Sequence, residues 1–75
     1  MSQLNVYLLK DLAHHTGYSV HTLKYYLKEG LFKEVSKSHE TGYRYFNEDT
    51  VRLLRAIRQK RKDKISIRQI KNELL

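Results

Sequence analysis

Apolar residues recur along the chain in four groups with the spacing of a helix, interrupted by one stretch of different rhythm. The first group is Leu9, Leu12 and Ala13 at i, i+3 and i+4, which predicts a short amphipathic helix that stops at Gly17. The second group spans residues 19–28. Here Val20, Leu23, Leu27 and then Leu31 form an apolar stripe, while His21, Lys24, Tyr25 and Lys28 fall together on the other side. Ser19 is the expected N-cap, Tyr18 before it is placed to staple onto Leu23, and Gly30 supplies the stop. Only the turn Gly17-Tyr18 separates the two segments, so they predict a helix-turn-helix in which the first helix braces the second.

After Gly30 the rhythm changes. Leu31-Phe32-Lys33-Glu34-Val35-Ser36 and Tyr43-Arg44-Tyr45-Phe46 are short and rich in aromatic and β-branched residues, and the polar run Lys37-Ser38-His39-Glu40-Thr41-Gly42 separates them. They predict a β-hairpin with a six-residue loop. Two strands alone are marginal in water, so the hairpin must lean on the helices while its tip reaches outward. Lys37, His39, Tyr43 and Arg44 would then form a cationic wing; the alternative is a solvated hairpin whose Tyr43 only packs.

Helical spacing returns at Asn47, an N-cap followed by Glu48 and Asp49 where the helix dipole favours carboxylates, with Phe46 set to staple onto Val51. Val51, Leu54 and Ile57 give the buried stripe, and Arg52, Arg55, Arg58, Lys60, Arg61 and Lys62 surround it. Such a basic run is ordinarily a solvated face; phosphate contact is the competing reading. Ser66-Ile67-Arg68-Gln69 is a capping box with Ile65 and Ile70 as its staple, and Ile67, Ile70 and Leu74 are expected to face inward from the last helix. Met1 to Asn5 read as a short lead-in, and the final pair Leu74-Leu75 as a helix end packed on the core or a segment cut from something longer.

Composition narrows what these elements can do. Seventy-five residues suit one domain near the size where a single core is just sufficient. Cysteine is absent, so neither disulfides nor thiolate metal sites supplement that core, and a reducing cytoplasm is the simplest compartment. No apolar run approaches a membrane span and no charged-then-apolar leader is visible, so a soluble, unexported protein is expected. The net charge of +7, with pI near 9.8, points to a polyanionic partner. An anionic membrane surface would also attract it, but the periodic core argues for a folded domain rather than an interfacial peptide.

A helix buried on one side that presents His, Lys and Tyr on the other suits the DNA major groove, which admits one helix and is read by such donors. A metal centre is not expected. His14 and His15 are adjacent, roughly 100° apart around a helix, and no carboxylate or cysteine joins them at ligand spacing. No phosphate loop or nucleophile motif is present, and Ser19, Ser36, Ser38 and Ser66 sit at caps and turns, so an enzyme is not expected either.

Four segments in order resemble the DNA-binding domain of the MerR family of bacterial transcription regulators, from about Leu9 to Leu74. LKDLAHHTGYS resembles the family's first helix and turn, TLKYYLKEGL its recognition helix, GYRYF its wing, and DTVRLLRAIRQKR followed by ISIRQI its two closing helices. The resemblance implies a mainly α fold, a winged helix-turn-helix of four helices and a two-stranded β-hairpin wing, in a bacterial cytoplasm at the nucleoid. The expected boundaries within residues 1–75 are about 9–29 for the helix-turn-helix, 32–46 for the wing, and 47–62 and 66–75 for the closing helices. It also implies double-stranded DNA as the partner, with the recognition helix in the major groove and the wing on the neighbouring backbone. His21, Thr22, Lys24 and Tyr25 occupy the family's recognition-helix contact slots, and Tyr43 and Arg44 those of the wing. With Ser19, Lys28, Lys37 and His39 they make up the expected DNA-binding set. Tyr26 is expected at the edge of the core.

The departures from the family pattern carry information too. Lys24 stands where Arg is common, and a lysine offers a point charge rather than a bidentate fork, so phosphate anchoring is expected there rather than guanine readout. Leu27 replaces a usual acidic residue, and the proline that ordinarily follows the Gly-Leu pair is missing. Family members continue into a long pairing helix and a domain that binds a metal or small molecule; neither is visible here, so no cofactor and no small-molecule ligand are expected, and the chain alone should be a monomer. Two functions stay open. One is a sequence-specific transcriptional regulator, working with a second copy on DNA or with RNA polymerase. The other is a small excisionase-like or architectural adaptor of a mobile element that works through a recombinase, using an exposed Leu53 and the apolar carboxyl end.

Overall fold

A computed structural model describes residues 6–74, so the lead-in Met1 to Asn5 and the final Leu75 lie outside the described residues. Four helices, α1 (Leu9–Thr16), α2 (Val20–Glu29), α3 (Glu48–Lys62) and α4 (Ile67–Leu74), are joined by short turns except between α2 and α3, where the strands β1 (Ser36–Lys37) and β2 (Arg44–Tyr45) pair antiparallel. Leu12, Leu23, Leu54, Ile57 and Ile70, one or two from each helix, are fully buried and meet at the centre with Val51 and Phe46.

The expected caps form. Asn47 Oδ1 accepts the Thr50 N–H at 3.2 Å at the start of α3, and Ser66 Oγ accepts the Gln69 N–H at 3.1 Å before α4, the first half of the anticipated capping box. Helix α1 begins without a Ser or Asn cap: the Asp11 carboxylate, three residues in, accepts the Leu8 N–H at 2.9 Å. Gly17 closes α1 and Gly30 closes α2 in the left-handed region, with φ of 81° and 80°, where an L side chain would be strained. After Gly30 the chain turns directly into the core, because the Leu31 N–H bonds back to the Tyr26 carbonyl at 3.0 Å.

The strands are shorter than the apolar pattern suggested. Leu31 and Phe32 are both buried, which successive residues of a hairpin packed on only one face would not be. They therefore leave the strand to fill the core, and regular pairing is confined to Ser36 opposite Tyr45 and Lys37 opposite Arg44. Flanking bonds from Val35 N–H to the Tyr45 carbonyl and Ser38 N–H to the Tyr43 carbonyl, both 2.8 Å, extend the ladder at each end. The hairpin is tied down from its open side as well. Tyr7 and Phe46 exchange backbone hydrogen bonds of 2.9 and 2.8 Å, and the Tyr7 hydroxyl donates to Glu48 Oε2 at 2.7 Å, which pushes the Tyr7 phenol up from its ordinary pKa.

Other expectations about side chains need correction. Val20, assigned to the apolar stripe of α2, is exposed, and Leu27 is only half-buried; Tyr26 takes the inward position instead, at 6% exposure. Leu53 is not exposed but packs partly buried against the core. Leu74, expected to face inward, is 40% exposed. Val20 is the first residue of α2 and Leu74 the last of α4, where a helix end runs clear of the core.

Candidate nucleic-acid interface

The geometry of α2 is set at both ends before any partner is considered. Ser19 Oγ accepts the Thr22 N–H at 3.0 Å, and the Ser19 hydroxyl donates to Thr22 Oγ1 at 2.9 Å, so both hydroxyls are engaged in starting the helix. Leu23 and Tyr26 face the core, which turns His21, Lys24, Tyr25 and Lys28 outward, all exposed. The Tyr25 hydroxyl reaches Glu29 Oε1 at 3.4 Å along the same helix.

The turn into α2 is held from beneath by α3. Arg55 Nη2 donates to the His15 carbonyl at 3.4 Å, and the Arg58 guanidinium lies over the Tyr18 ring, 5.4 Å from its centre. A side chain at Gly17 would meet that guanidinium at 3.2 Å, so the glycine serves close approach as well as backbone conformation. Elsewhere on α3, Arg52 pairs with Asp49, Arg61 donates to the Ile65 carbonyl at 2.8 Å, and Lys60 meets Glu73 of α4 at 2.9 Å. These exposed contacts are individually weak. Together they give Arg52, Arg55, Arg58, Lys60 and Arg61 partners within the chain.

Tyr18 itself packs against Tyr26, ring centres 5.3 Å apart, and its buried hydroxyl finds no hydrogen-bond partner among the described residues. That burial is the main force pushing its phenol up from the ordinary tyrosine range. Removing an unsatisfied hydroxyl while keeping the ring over Arg58 costs little or stabilises. Tyr18→Phe is accordingly expected to keep stability within about 1 kcal/mol of the wild type or raise it, as read from urea melts.

The wing stands beside α2. Lys24 and Leu27 of α2, Leu8, Leu9 and Lys10 at the start of α1, and Lys37, Tyr43 and Arg44 of the wing line an open cleft of about 550 Å³. A second cleft, of about 330 Å³, is lined by Lys24, Leu27, Lys28, Lys33, Glu34 and Arg44. Lys24 and Arg44 border both, so α2 and the wing present one continuous, mainly cationic face. Of the expected residues, Lys24, Lys28, Lys37, Tyr43 and Arg44 are brought together there. His21 and Tyr25 are exposed on α2 outside the clefts, His39 is exposed in the wing turn, and Ser19 and Thr22 sit at the helix start. Lys10, Lys33 and Glu34 were missed. Nothing in local spacing could have found them, since their position depends on how α1 and the wing base fold against α2.

Among the described residues no three His, Cys, Asp or Glu side chains cluster as metal ligands, and no helix is long and apolar enough to cross a membrane. His14 stacks edge-on to His15, and His15 in turn to Tyr7 at 5.0 Å.

The sequence profile of the MerR HTH family of regulatory proteins matches residues 7–75, nearly the whole chain. The chain belongs to the MerR family. Solved MerR-family structures share the fold. A transcriptional regulator from Bacillus cereus is 24% identical with a TM-score of 0.85, and 93% of this chain aligns to 52% of that one. HiNmlR, described as a MerR family regulator lacking the sensor domain and bound to promoter DNA, is 28% identical with a TM-score of 0.80, and 91% of this chain aligns to 51% of it. This MerR-family chain thus spans about half the length of the solved proteins it matches. No curated protein matches it.

Lys24 and Leu27 border both clefts, and the second also takes in Lys28 and Glu34.

Proposed function

We propose that this MerR-family chain binds double-stranded DNA sequence-specifically and regulates transcription in a bacterial cytoplasm, as a single winged helix-turn-helix unit. Helix α2 enters the major groove, whose width accepts one helix, with His21 and Tyr25 toward base edges and Lys24 and Lys28 toward phosphates. The wing lies along the neighbouring backbone through Lys37, His39, Tyr43 and Arg44. Ser19 and Thr22 contribute chiefly by fixing the angle at which α2 enters. The observation that carries this reading is the sharing of both clefts by Lys24 of α2 and Arg44 of the wing, which makes two elements one phosphate-matching face. A MerR-family regulator of the same fold bound to promoter DNA lends it support. A second copy on a symmetric site, and RNA polymerase as protein partner, follow from the same reading.

Selection from a random duplex pool followed by footprinting of the winner tests it. The expected result is enrichment of one short motif, protection of the major groove over it, and protected backbone on the wing side. Equal retention of winner and random duplex across salt concentrations would end the specific-readout reading.

A further inference from the structure

Among the residues that line the two clefts between α2 and the wing, one is acidic. Glu34 lines the smaller cleft among Lys24, Lys28, Lys33 and Arg44, and its Oε1 sits 3.6 Å from Arg44 Nε. A carboxylate in that place opposes an approaching polyanion, and its partner is the wing cation that borders both clefts. The pair is open to solvent, with 49% of the Arg44 side chain and 33% of the Glu34 side chain accessible, so a phosphate can reach the guanidinium and compete for it. Arg44 stands on β2 opposite Lys37, and Glu34 lies two residues before β1, so it is their side chains that reach each other across the base of the wing.

We propose that Glu34 is an internal competitor for Arg44: a duplex gains the Arg44 contact only by displacing this carboxylate, which sets the strength of phosphate binding irrespective of sequence. The assignment rests on the DNA-binding reading above and names the residue that tempers it. Phosphate contacts supply nearly all non-specific affinity, so a random duplex is the right probe.

The test is a thermodynamic cycle on a random-sequence duplex of about 20 base pairs, roughly two helical turns, titrated across salt concentrations with wild type, Glu34→Gln, Arg44→Gln and the double variant. Glu34→Gln is expected to bind about threefold to fivefold tighter, the scale of one exposed ion pair, with a salt slope close to wild type because Arg44 meets the same phosphate in both. In the Arg44→Gln background the same change should gain less than about 1.5-fold, because the competition has lost its object. Wild-type binding with no gain from Glu34→Gln, or an equal gain with and without Arg44, overturns the assignment alone. Failure of the wild type to bind duplex even at low salt overturns the DNA-binding reading and this assignment with it.

Discussion

Phe46→Ala is expected to lower the thermal midpoint by more than about 12 °C, the largest loss of stability available from one side chain. Phe46 is 1% exposed, sits among the largest fully buried side chains, and lies against Phe32 with ring centres 5.5 Å apart. Truncating a buried phenylalanine to alanine costs about 3–5 kcal/mol, the lost transfer energy plus the cavity left behind. In a domain of this size each kcal/mol shifts the midpoint by about 4–8 °C. The position is also where three parts of the fold meet: Phe46 pairs with Tyr7 through both backbone groups, follows β2 directly, and precedes the Asn47 cap of α3. Its loss should therefore loosen the wing before the helices melt. Circular dichroism melts of Phe46→Ala and Phe46→Leu test this; a midpoint for the alanine variant within a few degrees of wild type would mean that the core is not built around this ring.

The importance of Phe46 was visible in the sequence only in part. Its staple onto Val51 followed from its place before Asn47, and both residues are buried. Helix α3 was legible for the same reason: cap, acidic first turn and the stripe Val51, Leu54, Ile57 are local signals that agree, and all three apolar residues are at most 1% exposed. The pairing of Phe46 with Tyr7 was not legible, because it joins residues far apart in the chain and only the folded core brings them into register. Leu31 and Phe32 misled for a related reason. Their aromatic and aliphatic character reads as strand, but burial of both at once is a tertiary demand that local propensity does not contain.

The candidate face divides along the same line. Lys24 and Lys28 were legible because helical periodicity alone sends them away from Leu23. Arg44 was placed in a cationic wing by the predicted hairpin and in a contact slot by the resemblance, and the fold brings it to the same clefts. Glu34 was read as an ordinary strand residue, and its contact with Arg44 needed the true, shorter hairpin. Arg55 and Arg58 illustrate the converse. Spacing marked them as surface cations, and the fold directs them at the His15 carbonyl and the Tyr18 ring, where they support the turn into α2.

If α2 and the wing act as one phosphate-binding surface, then neutralising both of its shared cations should weaken binding to every duplex at once. The double variant Lys24→Gln/Arg44→Gln is expected to lose at least about 100-fold in affinity, taking about 1.5–3 kcal/mol for each charge-assisted contact and 1.4 kcal/mol per decade. The slope of log affinity against log salt should fall by about two units, since each phosphate contact contributes close to one. Both side chains are exposed and outside the core, so melts should stay near wild type and the loss cannot be assigned to unfolding. Tyr25→Phe provides the contrast. It removes the hydroxyl that reaches Glu29 without removing charge, so the salt slope should hold while the ranking of selected sequences changes. A double variant that kept its salt slope, or lost affinity for the selected site alone, would place the phosphate contacts elsewhere on the molecule and leave the pairing of α2 with the wing without a binding role.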